Sequence, residues 1–474
     1  TQEPEAEDVA AGQDGPGGAC FEPLAAFADD AVIAVGAGGA VRAAELRRDV
    51  LAVAAQLPAA APGSEIEVIC ADRYHFAVGV LAAWEAGHAV ALPPNTQPEV
   101  VRALAARPGV LLLLHDTDAA EGADLRRWLG GAEAGPGRRL APIAAGRVCA
   151  TVYTSGSSGE HQACPKTAGQ LLGEAATLAA TFAVGPGARI VATVPPHHIY
   201  GLLFGTLLPL AAGASFVRST PFHAETIAAT ARELEADVLV SVPVHLRSLT
   251  VLGPAALAGI RRVFSSGAAL PEATAAALGE RFGLSVVEVF GSSETGGIAW
   301  RVAGPGAPWR PFAGVRVDVD ASGRLLLDSP FLPPEEPRPF VGGDRVALRE
   351  DGRFDLLGRY DGVIKVGSKR VSLAEVEARL LGLPEVADAA VAATVVGGAR
   401  GHELIAAVVL RAPARAPSEA IAELRRALLQ WFDPVVVPRR IKVVDILPRE
   451  ANGKLRRQRL LELLEVAREP GAAA

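Results

Sequence analysis

Four short stretches bring residue types with chemical use close together. In TVYTSGSSGEHQACPKT (151–167) an apolar run leads into Thr154, Ser155, Gly156, Ser157, Ser158 and Gly159, and Lys166 follows. Glycines leave backbone N–H groups unhindered, hydroxyls add donors and a lysine adds charge, so the set suits a polyphosphate. The segment alone also reads as a flexible Ser/Gly surface loop. It is not a Walker A loop, because Pro165 stands where Gly should precede Lys166. In VVEVFGSSETGGIAWR (286–301) an aromatic, small hydroxyls and one carboxylate suit a base, a phosphate and Mg²⁺: Phe290, Gly291, Ser293 and Glu294. A helix N-cap with Glu in its first turn is the competing structural reading.

In the stretch 342–380, Asp344 and Arg359 lie fifteen residues apart across what reads as strand, turn and strand. The carboxylate suits a ribose diol and the guanidinium the same sugar or a phosphate. A surface ion pair across a hairpin is the alternative. In LPREANGKLRRQRL (447–460), Lys454 sits in a polar turn between a strand and the last helix, where on its own it reads as a solvated charge. Only five of the 46 basic residues are lysine, and four of the five fall in or beside these stretches. A scarce lysine among arginines points to sites that need a compact point charge rather than a planar fork.

The elements that must position these residues alternate. Apolar, β-branched runs such as EIEVICA, ARIVATVPP, ADVLVSVP and RRVFSSG are each followed by Ala/Leu-rich helical sequence. That order predicts βαβ units around largely parallel sheets, with strand VVEVF ending at Phe290. From about 315 the texture changes to shorter strands and turns, and D-G pairs at 351–352 and 361–362 mark turns. GAGGAV (36–41) has Val41 at the sixth position, where a dinucleotide fingerprint needs glycine, and reads as a hairpin turn entering helix AAELRRDV.

With 474 residues, two or more domains are expected. Net charge of −7 gives no footprint for nucleic acid. The uncharged run Ile199–Val217 is long enough for a membrane span, but its glycines and Pro209 favour a buried helix followed by a strand. The acidic, Gly/Pro-rich opening (1–22) reads as a disordered lead-in. Four cysteines show no metal or disulfide pattern, so a reducing cytosol is expected.

Taken in order, TSGSSG…PK, FGSSETGG, GD…DG…GRYDGVIK…KRVS…EVE and PREANGK resemble the core motifs of the adenylate-forming superfamily of acyl-CoA synthetases, aryl-CoA ligases, adenylation domains and luciferases. The resemblance covers about residues 30–460. It implies an α/β fold: a large adenylation domain (23–360) of largely parallel sheets with helices, and a smaller α+β mobile domain (361–474). It further implies ATP, Mg²⁺ and either CoA or a holo acyl carrier protein as partners. Thr154 to Gly159 with Lys166 would cover the β- and γ-phosphates; Phe290 with Ser266, Gly267 and Ala268 would flank adenine. Ser293 would touch the α-phosphate, Glu294 would ligate Mg²⁺, and Asp344 and Arg359 would hold the ribose. His198 would gate the acid pocket, with Val244, His245 and Trp300 in its walls. Asp361 would be the hinge and Lys454 the charge between carboxylate and α-phosphate.

Departures from the family pattern shape the expectation. GEHQAC lengthens the phosphate loop before PK, and Ser368 stands where the pantetheine arm usually meets glycine. These details and PPHHIYGLLFG look like the ligases of aryl polyene and xanthomonadin-type pigment pathways. The expected reaction is ATP-dependent activation of an aryl or unsaturated acid, followed by transfer to a phosphopantetheine thiol. A fatty acyl-CoA synthetase and a non-catalytic nucleotide-binding protein are the alternatives.

Overall fold

The computed structural model describes residues 20–119, 121–131, 138–155, 161–359, 364–366, 369–371, 373–396, 401–411, 417–447 and 457–464. Among them, two twisted sheets dominate. One has six strands in the order His161–Thr167, Val148–Ser155, Ala89–Leu92, Glu65–Ile69, Val110–His115 and Ala123–Asp124. All its neighbours are parallel except the first pair, which is antiparallel. The other has nine strands. Its six central strands, Val286–Ser292 through Arg262–Ser265, Val238–Ser241, Arg189–Ala192 and Ser215–Val217 to Val32–Gly36, run parallel.

The expected alternation is present. Helices Arg73–Glu85, Ile199–Leu202, Pro243–Leu249 and Glu272–Phe282 follow the four apolar runs read as strands. Such crossovers bury both sheet faces, which is why the strands read as nearly continuous Val/Ile/Leu runs. The largest apolar core joins both sheets and the helices between them. GAGGAV forms the hairpin Val32–Gly36/Gly39–Arg42 and enters helix Ala43–Ala54, as read from sequence.

The run Ile199–Val217 is helix then strand, with one feature its composition hides. Residues Leu203–Leu207 form a π turn between helices Ile199–Leu202 and Leu208–Ala212. Arg73, fully buried beside it, explains part of this packing. Its Nη2 donates to the carbonyls of Val194 (2.8 Å) and Ala192 (3.3 Å) and to Thr220 Oγ1 (3.2 Å). A Cβ at Gly205 would collide with its guanidinium. Among the described residues no helix is long and apolar enough to cross a membrane.

A four-stranded antiparallel sheet, Arg316–Val319, Arg324–Asp328, Phe340–Leu348 and Phe354–Arg359, follows. Beyond it, a smaller α+β unit has a three-stranded sheet (Val386–Val396, Gly401–Leu410, Arg440–Val443) and its own apolar core. Helices Leu373–Leu381, Pro417–Leu428 and Arg457–Leu463 and the hairpin Ile364–Val366/Lys369–Val371 belong to this unit. It docks on the larger unit where Asn95 Nδ2 donates to the Trp431 carbonyl at 3.0 Å.

Candidate active site

A cavity of about 470 Å³ opens at the carboxyl ends of the parallel strands of the nine-stranded sheet, where open α/β sheets bind ligands. It gathers residues that the sequence keeps more than a hundred positions apart. Thr154, His198, His245, Ser266, Gly267, Gly291 and Ser293 all line it.

The turn carrying Ser293 and Glu294 is built by its own side chains. Ser292 N donates to Thr295 Oγ1 (3.1 Å), and Thr295 N donates to Ser292 Oγ (3.2 Å). Strand Val286–Ser292 continues two residues past Phe290, and the antiparallel strand Gly296–Val302 returns from the turn. No helix follows, so the N-cap reading of this stretch fails. Gly296 has φ +69°, a left-handed conformation that glycine adopts without strain. Ser266 Oγ donates to the Val289 carbonyl at 2.8 Å, fastening the next strand end to this one.

Lys166 is not placed as expected. Of the inserted residues, His161 to Cys164 are described, and they belong to an edge strand, His161–Thr167, paired antiparallel with Val148–Ser155. Pro165 is tolerated there because an edge strand has a ladder side with no partner. This pairing turns Lys166 inward, 2% exposed, with Nζ donating to the carbonyls of Glu294 (2.9 Å) and Phe331 (3.4 Å). Burial holds its pKa below the usual lysine value. The lysine therefore supports the Glu294 turn from behind. Gly156, Ser157, Ser158 and Gly159 lie outside the described residues, as do the side chain of Ser155, Asp361, Ser368 and Lys454.

His198 caps helix Ile199–Leu202 and accepts at Nε2 from Lys369 Nζ, 2.7 Å away. Burial and the Lys369 charge hold the imidazole well below the usual histidine pKa, so it is neutral and able to accept. His197, its ring centroid 4.5 Å away, is pushed down to about 3 by burial, then by the charges of Lys369 and Arg73. Lys369 also pairs with Asp433 at 3.1 Å. The smaller unit thus reaches the cavity through one cation and one anion, both of which line it. The scarcity of lysine was the signal that could have singled out Lys369.

His245 Nδ1 is 2.9 Å from Thr193 Oγ1, which contacts Ser241 Oγ at 2.9 Å. Helical periodicity turns Val242 and His245 to the cavity and leaves Val244, 42% exposed, facing away. Val244 is therefore not a wall residue here. Nor is Trp300, which packs edge-on against Phe182 at 5.6 Å and lies under Arg310. Phe290 packs against Trp309 and Phe354, and Ala268 stands beside the lining residues rather than among them. Asp344 and Arg359 are register partners in the antiparallel ladder, so their backbones sit directly opposite each other.

The walls also contain groups to which sequence reading assigned no role: Glu174, Thr193, Tyr200, Phe204 and Asp433. Glu174 was legible in one respect. It lies four residues after Gln170, on the buried face of helix Ala168–Thr181, where a carboxylate is out of place.

Residues 22–327 match the family model described as AMP-binding enzyme, and residues 375–454 match the AMP-binding enzyme C-terminal domain. The 4-coumarate–CoA ligase of Rhodobacter capsulatus is 33% identical over 65% of this chain and 74% of its own. A malonyl-CoA ligase bound to methylmalonyl-CoA and AMP superposes with a TM-score of 0.76 and 25% identity, over 90% of this chain and 99% of its own. The o-succinylbenzoate CoA synthetase of Bacillus subtilis, bound to a product analogue, gives 0.80 at 20% identity, over 94% and 99%. The latter likeness shows the fold.

Proposed function

The chain belongs to the AMP-binding enzyme family, and we propose that it couples a carboxylic acid to the AMP moiety of ATP, releasing pyrophosphate, then passes the acyl group to a phosphopantetheine thiol. The observation that carries this reading is the single cavity uniting Ser266, Gly267 and Ser293 with His198. A nucleotide bound on the first three would meet an acid held beside the histidine.

Attack of a carboxylate on the α-phosphate brings two anions together, so positive charge must lie between them in the transition state. By its motif, Lys454 supplies that charge. Glu294 stands half-buried in the turn beside Ser293, and one carboxylate with phosphate oxygens suits Mg²⁺, which needs few protein ligands. When bound, the ion would neutralise charge on the phosphates. Ser293 orients the α-phosphate, and Asp344 and Arg359 hold the ribose. His198, kept neutral, presents no charge to compete with the acid. Thr154 to Gly159 cover the outer phosphates.

The unit from 361 onward acts as the mobile one, turning about Asp361. In the arrangement described here it offers Lys369 to the cavity, and Lys454 lies outside the described residues. The superposition on a ligase holding a CoA thioester and AMP supports reading this as the thiol-transfer arrangement. The name of the coumarate ligase supports an aryl or unsaturated acid. The likeness to pigment-pathway ligases adds an acyl carrier protein to CoA as a candidate acceptor.

Pyrophosphate release with benzoates, hydroxybenzoates, cinnamates and fatty acids tests the reaction and ranks the acids. Thioester formation with CoA and with holo carrier protein separates the acceptors. Lys454→Ala is expected to lower ATP–pyrophosphate exchange by roughly 10²–10³-fold while leaving thioester formation from supplied acyl-AMP largely intact. Near wild-type exchange in that variant would overturn the role of Lys454.

A further inference from the structure

Resting on the adenylation reading, we propose that Glu174 is a specificity-determining residue of the acid pocket, and that it selects an aromatic acid carrying a ring hydroxyl. Glu174 is 5% exposed and lines the cavity. Its Oε1 accepts from Gly297 N at 2.7 Å, while Oε2 has no hydrogen-bond partner among the described residues. The nearby lysine does not neutralise it by contact, because Lys166 Nζ donates to the Glu294 and Phe331 carbonyls.

The niche that admits this carboxylate is specific. A Cβ at Gly296 would lie 2.7 Å from Oε2, and one at Gly297 would lie 2.9 Å from Oε1. Two consecutive glycines thus leave room for an acceptor in the wall of the cavity. Around it, Tyr200, Leu203 and Phe204 make an apolar and aromatic surface suited to a ring. A few placed polar groups in such a pocket fix ligand orientation and decide specificity. Burial raises the Glu174 carboxyl to about 7, against the lowering effect of the Lys166 charge. Above that pH its open oxygen is an acceptor that calls for a single donor, which a hydroxyl supplies; the exchange assays are therefore run at pH 8. An ammonium would need several acceptors, and the other titratable groups lining the cavity among the described residues are neutral histidines, the phenols of Tyr153 and Tyr200, and the Lys369–Asp433 pair.

The test is ATP–pyrophosphate exchange with matched acids: benzoate against 3- and 4-hydroxybenzoate, and cinnamate against 4-coumarate. Wild-type protein is expected to favour at least one hydroxylated member by roughly ten- to a hundredfold in kcat/KM, as for a hydrogen bond to a buried charge. Glu174→Leu should bring that ratio near one. Glu174→Gln keeps an oxygen for Gly297 N and should lower the ratio by about tenfold, so the result stands even if the leucine variant does not fold. A wild-type ratio near one in every pair overturns the proposal. So does a Glu174→Gln protein that loses rate on all acids alike, which would make Glu174 a support for the turn. Absence of exchange with every acid would instead overturn the adenylation reading on which the proposal rests.

Discussion

At the scale of single residues, the cavity wall sets neutral imidazoles beside the Lys369–Asp433 ion pair. His197 and His198 are buried against a cation, which removes their protons and leaves imidazole nitrogens free to accept. Lys369 is held between His198 Nε2 and the Asp433 carboxylate. Its position suits a charge that steadies the acyl-AMP while a thiol attacks, rather than one that helps ATP react. Lys369→Ala is therefore expected to slow thioester formation from supplied acyl-AMP by about tenfold or more, with a much smaller effect on ATP–pyrophosphate exchange. Rapid-quench measurement of the two half-reactions decides the matter. Equal losses in both would remove Lys369 from the transfer step.

At the scale of elements, strand Glu65–Ile69 carries an oddity that bears on stability. Glu67 is fully buried, neither carboxylate oxygen has a hydrogen-bond partner among the described residues, and burial raises its pKa from the ordinary 4.5 to about 8. A group whose folded pKa is raised favours folding fully below its unfolded pKa and loses that contribution as pH climbs through the folded one. The loss here falls between about pH 4.5 and 8. Glu67→Gln is expected to raise Tm at pH 8, by the equivalent of a few kcal/mol, and to leave it unchanged near pH 4.5. A pH series of thermal melts on both proteins checks this; an equal gain at both ends would mean Glu67 stays ionised. On the same strand Glu65 does have partners: Thr151 and Tyr153 donate to it from strand Val148–Ser155, beyond the intervening Ala89–Leu92.

For the whole molecule, two units share one cavity. The smaller one reaches it with Lys369 from the hairpin Ile364–Val366/Lys369–Val371, and Lys454 comes from a separate stretch of that unit. Under the proposed reaction both lysines would act on the same acid, which requires the unit to turn between half-reactions. Among the described residues the two units meet through polar contacts, Asn95 with Trp431 and Lys369 with His198, as suits an interface that opens. Energy transfer between dyes on Val251→Cys and Val395→Cys, both exposed sites, with Cys20→Ser, reads the motion. Two transfer efficiencies are expected, with the populations shifting between a non-hydrolysable ATP analogue with acid and an acyl-AMP analogue with CoA. One invariant efficiency would rule out the turn.

What the amino-acid order determined by itself was local or ordinal. The βαβ alternation, the hairpin at 36–41, the helix-then-strand reading of Ile199–Val217 and the family all rest on periodicity, turn residues or motif sequence, which survive without knowledge of neighbours. The strand, turn and strand between Asp344 and Arg359 was legible in the same way, whereas their exact pairing depends on a bulge at Arg345/Val346. Tertiary structure alone decided the rest. Edge-strand pairing turned Lys166 inward, helical rotation took Val244 off the wall, and packing against Phe182 drew Trp300 aside. It also brought Glu174 behind Gly297 and Lys369 to His198, contacts spanning 123 and 171 positions. No window of sequence reports such pairs, because their energies arise only when distant segments share one desolvated cavity.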